Sequence, residues 1–186
     1  MSHTVDYYFA PQSPWAYLGH QRFQQILDGA GASVRVMPID LGGKVFPISG
    51  GLPLGQRAPQ RQAYRLTELA RFSKWLGAPL HVKPTYFPVG GDDAAKLIIA
   101  VDMAAGPKAA MAISGAILSA VWAQQRNIAD EKTLAELLKE LMHGSGECAA
   151  RGWTFLSLGI PEWSLLCYLA LGAWAVLIAL KKTTAS

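Results

Sequence analysis

The sequence predicts an α/β protein: a βαβ unit, then a long all-helical stretch, then one helix of membrane-spanning type. Three observations carry this. Two short β-prone stretches flank a segment with helix start and stop signals. From Pro59 onward the apolar spacing is helical to about Met142. From Trp163 to Leu180 there are 18 consecutive residues without a charge.

The elements follow in order. Val5–Phe9 is short, aromatic and β-prone, and is predicted as a strand. Ser13-Pro14 opens a helix, because serine accepts hydrogen bonds from the first free N–H groups and proline suits the first helical position. Trp15, Leu18, Phe23, Ile26 and Leu27 give this helix an apolar face, and Gly29 or Gly31 ends it. A second strand is expected over Val34–Ile39, completing a βαβ unit with a right-handed crossover. Residues 42–57 are rich in Gly and Pro and read as a loop. A helix then runs from Pro59 to Trp75 and stops at Gly77. The next is capped by Asp92 or Asp93 and ends at Ala105. A third covers Pro107 to Arg126, and a fourth starts near Asp130, with acidic residues early and Lys139 late.

Composition bounds the function. The chain has 186 residues, 51% hydrophobic and only 16% charged, which excludes a disordered chain. Two cysteines exclude a disulfide scaffold. The net charge is +4, but no window is densely basic, so no nucleic-acid partner is expected. No metal cluster is expected either. The mean hydropathy of +0.19 averages two unlike parts. Residues 1–142 hold 14 of the 17 basic and 11 of the 13 acidic residues. The uncharged run 163–180 is about 27 Å long as a helix, close to the thickness of a bilayer's hydrocarbon. Trp153 and Trp163 precede it and Lys181-Lys182 close it, as at membrane interfaces.

The chemistry is expected where the first strand meets the first helix, at Tyr8-Phe9-Ala10-Pro11-Gln12-Ser13-Pro14-Trp15. Open α/β sheets bind ligands at that end. A helix N-terminus favours an anion and would lower the pKa of a thiol held there. Ser13 is either a helix cap alone or a hydroxyl donor to such a ligand, and both readings stand here.

This stretch resembles the S-P-[FW]-x-Y motif of 2-hydroxychromene-2-carboxylate isomerases. These belong with kappa-class glutathione transferases and DsbA-like proteins in the thioredoxin-like superfamily. Ile39-Asp40-Leu41 with Lys44, PQRQAYRLTELARF, Leu76-Gly77-Ala78-Pro79-Leu80 and Pro84-Thr85-Tyr86-Phe87-Pro88 agree in order. The resemblance covers about residues 4–135. It implies glutathione as cofactor and a small aromatic carboxylate as substrate, isomerised about a double bond in aromatic degradation. It makes Ser13 the catalytic residue at the glutathione sulfur, with Pro14 and Trp15 beside the cofactor. Lys44, Tyr86, Gln56 and Arg57 become substrate-binding, although Lys44 also reads as an exposed loop lysine and Tyr86 as a packed aromatic. Arg57, Arg61, Arg65 and Arg71 read as a solvated face. Ser13-Pro14-Trp15-Ala16 stands where redox members carry Cys-x-x-Cys, so disulfide exchange at this end is not expected.

After the helices, the expected second ββα half of the thioredoxin-like fold is missing. HGSGECAARGWTFLSLGIPEWSLLCYLALGAWAVL, within about 141–182, resembles instead the last membrane-helix region of DsbB-like disulfide oxidases. That makes Cys148 a redox candidate, and Cys167 a packing residue. Three segments result: 1–45, a partial thioredoxin-like βαβ unit; 46–140, a helical insertion; and 141–186, a membrane-helix tail. No export signal opens the chain, so a cytoplasmic N-terminal domain is expected, attached to the inner membrane through 163–180. Lys181-Lys182 argue for the opposite orientation. A homodimer is also expected. The alternatives to an isomerase are a membrane-anchored thiol-disulfide protein and a non-functional chimera.

Overall fold

The computed structural model describes residues 3–142 and, beyond them, 154–155 and 158–159. The chain forms two compact units, Met1–His143 and Gly144–Ser186.

The first unit is built on a two-stranded parallel sheet. β1 (Thr4–Phe9) pairs with β2 (Ser33–Pro38), with Tyr7 opposite Val36 and Phe9 opposite Pro38. Alternation puts Tyr7, Phe9, Val34 and Val36 on one face, and these four belong to or pack against the core. Asp6 and Arg35 lie on the other face, joined by an exposed ion pair of 2.6 Å.

Between the strands runs α1 (Pro14–Ala30), with Ser13 as N-cap and Gly31 as a left-handed C-cap at φ 59°. Gly31 donates to Asp28, and Ala32 to Leu27, closing the helix end. Leu18 and Leu27 are buried as expected, but Trp15 and Ile26 point outward, at 42% and 59% exposure. Ile26 is one residue from Leu27, about 100° around the helix, and so leaves the buried face.

The Gly- and Pro-rich stretch expected as a loop carries three short turns of helix: a π-helical turn at Leu41–Val45, α2 (Phe46–Ser49) and a 3₁₀ turn at Leu54–Gln56. Then come α3 (Pro59–Leu76), α4 (Asp92–Trp122) and α5 (Glu131–Met142). Gly77 caps α3 as expected, at φ 65°. Neither Asp92 nor Asp93 caps α4; the N-cap is Gly91, and both aspartates lie in the first turn, beside the positive end of the helix. Asp130 holds the start of α5, its carboxylate accepting from the Thr133 N–H at 3.0 Å.

α4 is interrupted at Gly106, whose φ 81° and ψ 177° are not helical. The break falls between the two helices expected from sequence, and Pro107 restarts the second. By length and apolarity alone α4 could cross a membrane. Gly106 divides that length, and twelve of its residues are buried. Ile98, Ile113, Ile117, Leu118 and Trp122 form the centre of the core with Leu134 and Leu137 of α5. α4 is therefore the spine of the first unit.

One polar pair lies inside this core. Buried His20 of α1 is within 3.1 Å of the Met111 carbonyl through Nε2 and 3.3 Å of the Tyr7 hydroxyl through Nδ1. A Cβ at residue 115 would come within 2.9 Å of the His20 ring, so glycine gives the imidazole its room.

In the second unit, β3 (Thr154–Phe155) pairs antiparallel with β4 (Leu158–Gly159). The expected span at 163–180, Cys148 and Cys167 lie outside the described residues.

Candidate functional site

The end of β1 is turned into α1 by four residues. Ser13 donates its N–H to Ala10 at 2.9 Å and sits in extended backbone, φ −77° and ψ 123°. Its Oγ accepts from the Ala16 N–H at 3.2 Å. That bond uses a lone pair and leaves the hydroxyl proton without an acceptor among the described residues. Pro14, at the first helical position, brings no N–H. The result is a half-buried hydroxyl at the positive end of a 17-residue helix, free to donate to a negatively charged atom.

The next segment is hooked to the same end of the sheet. The Ile39 N–H donates to the Phe9 carbonyl at 2.9 Å. Asp40 then organises the turn that carries Lys44, accepting from Gly43 N–H through its carboxylate at 2.7 Å and from Lys44 N–H through its carbonyl at 3.1 Å. The Lys44 side chain is exposed. The Arg57 guanidinium lies 5.8 Å over the Phe46 ring and donates to the Leu52 carbonyl at 2.9 Å. Gln56 is exposed beside it.

A cavity of ≈ 220 Å³ opens at the carboxyl ends of both strands, lined by Pro11, Gln12, Ile39, Asp40, Gly91 and Lys96, among others. Gln12 Oε1 is buried there without a hydrogen-bond partner among the described residues. Tyr86 lines a different cavity, of ≈ 380 Å³, with Gln125, Arg126 and Glu136. Arg126 is spoken for in that cavity, pairing with Glu136 at 3.0 Å and Glu140 at 3.3 Å.

The expected site residues are thus grouped in part. Ser13, Pro14 and Trp15 share the start of α1. Lys44 and Arg57 both belong to the following segment, where Arg57 lies over the Phe46 ring. No hydrogen bond or ion pair joins any of Ser13, Lys44, Gln56, Arg57 and Tyr86 to another. Trp15 meets Phe72 edge-on at 5.6 Å instead of lying in the core.

One residue departs from its expected place. Arg65 is half-buried, its guanidinium 5.3 Å over the Phe87 ring and 5.8 Å over the Trp122 ring. Burial, and then the charge of Arg57, lower its pKa. The solvated-face reading fails for Arg65 because α3 turns it toward these rings. Its partners are distant in sequence, so helical spacing carried no sign of them.

The fold and this strand-to-helix turn define a thioredoxin-like protein of DsbA type. Residues 4–145 match the DSBA-like thioredoxin domain, and the chain belongs to that family. Among solved structures it is similar to a cytosolic disulfide reductase, DsbM, from Pseudomonas aeruginosa, with TM-score 0.55 and 22% identity over 77% of this chain and 66% of that one. It is also similar to a 2-hydroxychromene-2-carboxylate isomerase, with TM-score 0.52 and 19% identity, covering 95% of this chain and 98% of that one. At these identities the likeness is one of fold. Curated relatives come from another direction. The chain is 48% identical over 44 residues to disulfide bond formation protein B of Methylococcus capsulatus, which is 24% of this chain and 27% of that protein. It is 35% identical over 95 residues to disulfide bond formation protein B 2 of Pseudomonas entomophila, 42% of this chain and 56% of that one. The chain therefore spans about a quarter to a half of these relatives' lengths.

Proposed function

We propose that the first unit binds glutathione at the start of α1 and serves as a glutathione-dependent cis–trans isomerase of the 2-hydroxychromene-2-carboxylate type. The observation that supports this reading is Ser13: a helix cap whose hydroxyl proton finds no acceptor among the described residues, at the position where redox members of the superfamily carry cysteine. When bound, glutathione would supply a thiolate able to add to a conjugated alkene and leave again, which permits rotation about the former double bond. Ser13 and the α1 N-terminus hold the sulfur ionised by donating to it. Pro14 and Trp15 lie beside it. Lys44, on its exposed turn, supplies a cation for the substrate carboxylate or for charge developing on the substrate oxygen. Gln56 and Arg57 are on the substrate side in this reading, whereas Tyr86 lines a separate cavity and is not brought to it.

The test is spectroscopic. Glutathione and 2-hydroxychromene-2-carboxylate are mixed with the full chain and the ultraviolet spectrum is followed. A glutathione-dependent change that Ser13→Ala removes supports the proposal; none, with folded protein present, ends it.

The curated relatives favour a second reading, a membrane-anchored thiol-disulfide protein attached through 163–180 with Cys148 as its redox residue. Oxidation of a DsbA-type partner by membranes carrying the chain supports it. Equal activity of Cys148→Ala sinks it.

A further inference from the structure

Arg65 is a cation in want of an anion. Its guanidinium carries five N–H donors, yet among the described residues it makes no hydrogen bond and no ion pair. A half-buried charge ordinarily has a partner, because removing it from water costs more than ring contacts return. Phe87 and Trp122 give a partial return, attracting the cation to their ring faces. Neither ring contact takes up an N–H donor in a conventional hydrogen bond, so the donors remain available to another ligand.

The position matters as much as the charge. Trp122, under Arg65, donates its indole N–H to the Gln12 carbonyl at 3.2 Å, and Gln12 precedes Ser13. Phe87, the other ring, follows Tyr86 and packs at a tilt of 50° against Trp122 with centroids 4.8 Å apart. Arg57 is near enough for its charge to act on Arg65, so the local potential is doubly positive. Both arginines are fixed, Arg57 by the Leu52 carbonyl and Phe46, Arg65 by its two rings.

We infer that Arg65, backed by Arg57, is a carboxylate-binding residue that orients an anionic ligand above the Phe87–Trp122 pair. A carboxylate matches the fork of a guanidinium edge-on through two parallel N–H···O bonds. Aromatic walls beside it suit a flat conjugated acid. The inference rests on the proposed ligand site for its place and deepens it by naming the group that reads the ligand's carboxylate. That carboxylate could belong to glutathione or to a separate aromatic acid.

The experiment separates these sources. Calorimetric titrations of the full chain use glutathione in one arm and trans-cinnamate in the other, with cinnamamide as the uncharged control. The variants are Arg65→Gln and Arg65→Lys, each checked for folding by circular dichroism. Arg65→Gln is expected to weaken one acid by about tenfold or more, the loss of a charge-assisted hydrogen bond. Arg65→Lys, which keeps charge but not the planar fork, should recover only part. Cinnamamide should not bind. Loss in the cinnamate arm assigns Arg65 to a substrate-like acid, and loss in the glutathione arm to the cofactor. If glutathione fails to bind wild type while cinnamate binding depends on Arg65, the isomerase reading falls and this one stands. Equal binding by wild type and Arg65→Gln, cinnamamide binding as tightly as cinnamate, or no binding of either acid by wild type overturns it.

Discussion

The indole N–H of Trp122 donates to the main-chain carbonyl of Gln12 across 3.2 Å. A single bond thereby ties the end of α4 to the turn that presents Ser13. Trp122 is fully buried, packs at a tilt against Phe87 and accepts from the His81 N–H through its own carbonyl at 2.8 Å. Trp122→Phe would remove the bond and part of the ring while leaving an apolar side chain. We expect a stability loss of about 2–3 kcal/mol, from a lost hydrogen bond and a cavity. Urea unfolding measures it. A loss within 0.5 kcal/mol or so, the range of surface substitutions, would show that the indole is not holding the turn.

His20 gives the protein an acid flank. Burial lowers its pKa below the ordinary 6.5, opposed in part by the bond to the Met111 carbonyl. The folded state therefore keeps the ring neutral where the unfolded chain takes up a proton, and the unfolded state binds more protons below about pH 6.5. Stability should be full above that pH and fall as pH drops through the lowered folded value. Its neighbour Tyr7 shapes the basic flank: burial pushes the phenol up to about 12. The unfolded phenol ionises near 10 while the folded one stays protonated, so stability is lost as pH rises from about 10 toward 12. Thermal unfolding followed from pH 4 to 11 checks both. A His20→Gln variant should show a flatter acid limb; an unchanged slope there would remove His20 as the cause.

Gly106 separates two competing rules. Alanine is a better helix former than glycine by about 1 kcal/mol, so Gly106→Ala should stabilise a continuous helix. The actual backbone there, φ 81° and ψ 177°, is nearly closed to residues with a Cβ, at a cost of about 1–3 kcal/mol. The observed conformation decides for destabilisation. Differential scanning calorimetry should find the variant's Tm lowered; a raised Tm would mean that α4 runs straight through.

The sequence made visible what is encoded locally. Ser13-Pro14, Gly31, Gly77 and Gly106-Pro107 each announce a helix boundary because cap chemistry and backbone freedom depend on one or two residues. The parallel pairing of β1 and β2 followed from the helix between them. Contacts between distant segments were not visible. His20 reads as a polar residue on a helix until Tyr7 and the Met111 carbonyl close around it. Arg65 shares its spacing with Arg57 and Arg61, yet alone of the three lies over the Phe87 and Trp122 rings. The same limit applies to the site: the start of α1 was legible, whereas the placement of Tyr86 in a separate cavity depends on where α4 ends and α5 begins.

Ser13 can be divided into its two roles by the choice of replacement. Ser13→Ala removes both the bond from the Ala16 N–H and the hydroxyl proton, so it should cost about 1 kcal/mol of stability and any thiolate binding together. That result alone cannot tell a cap from a ligand group. Ser13→Asp keeps a good cap, since a carboxylate accepts from the same N–H and suits the helix's positive end. It has no proton to donate at neutral pH, and it places a negative charge where a thiolate would sit. The expected outcome is stability near wild type by urea unfolding, with glutathione binding lost by calorimetry. If Ser13→Asp binds glutathione as wild type does, the hydroxyl is a cap and nothing more, because only a donor to the sulfur distinguishes serine from aspartate at this position.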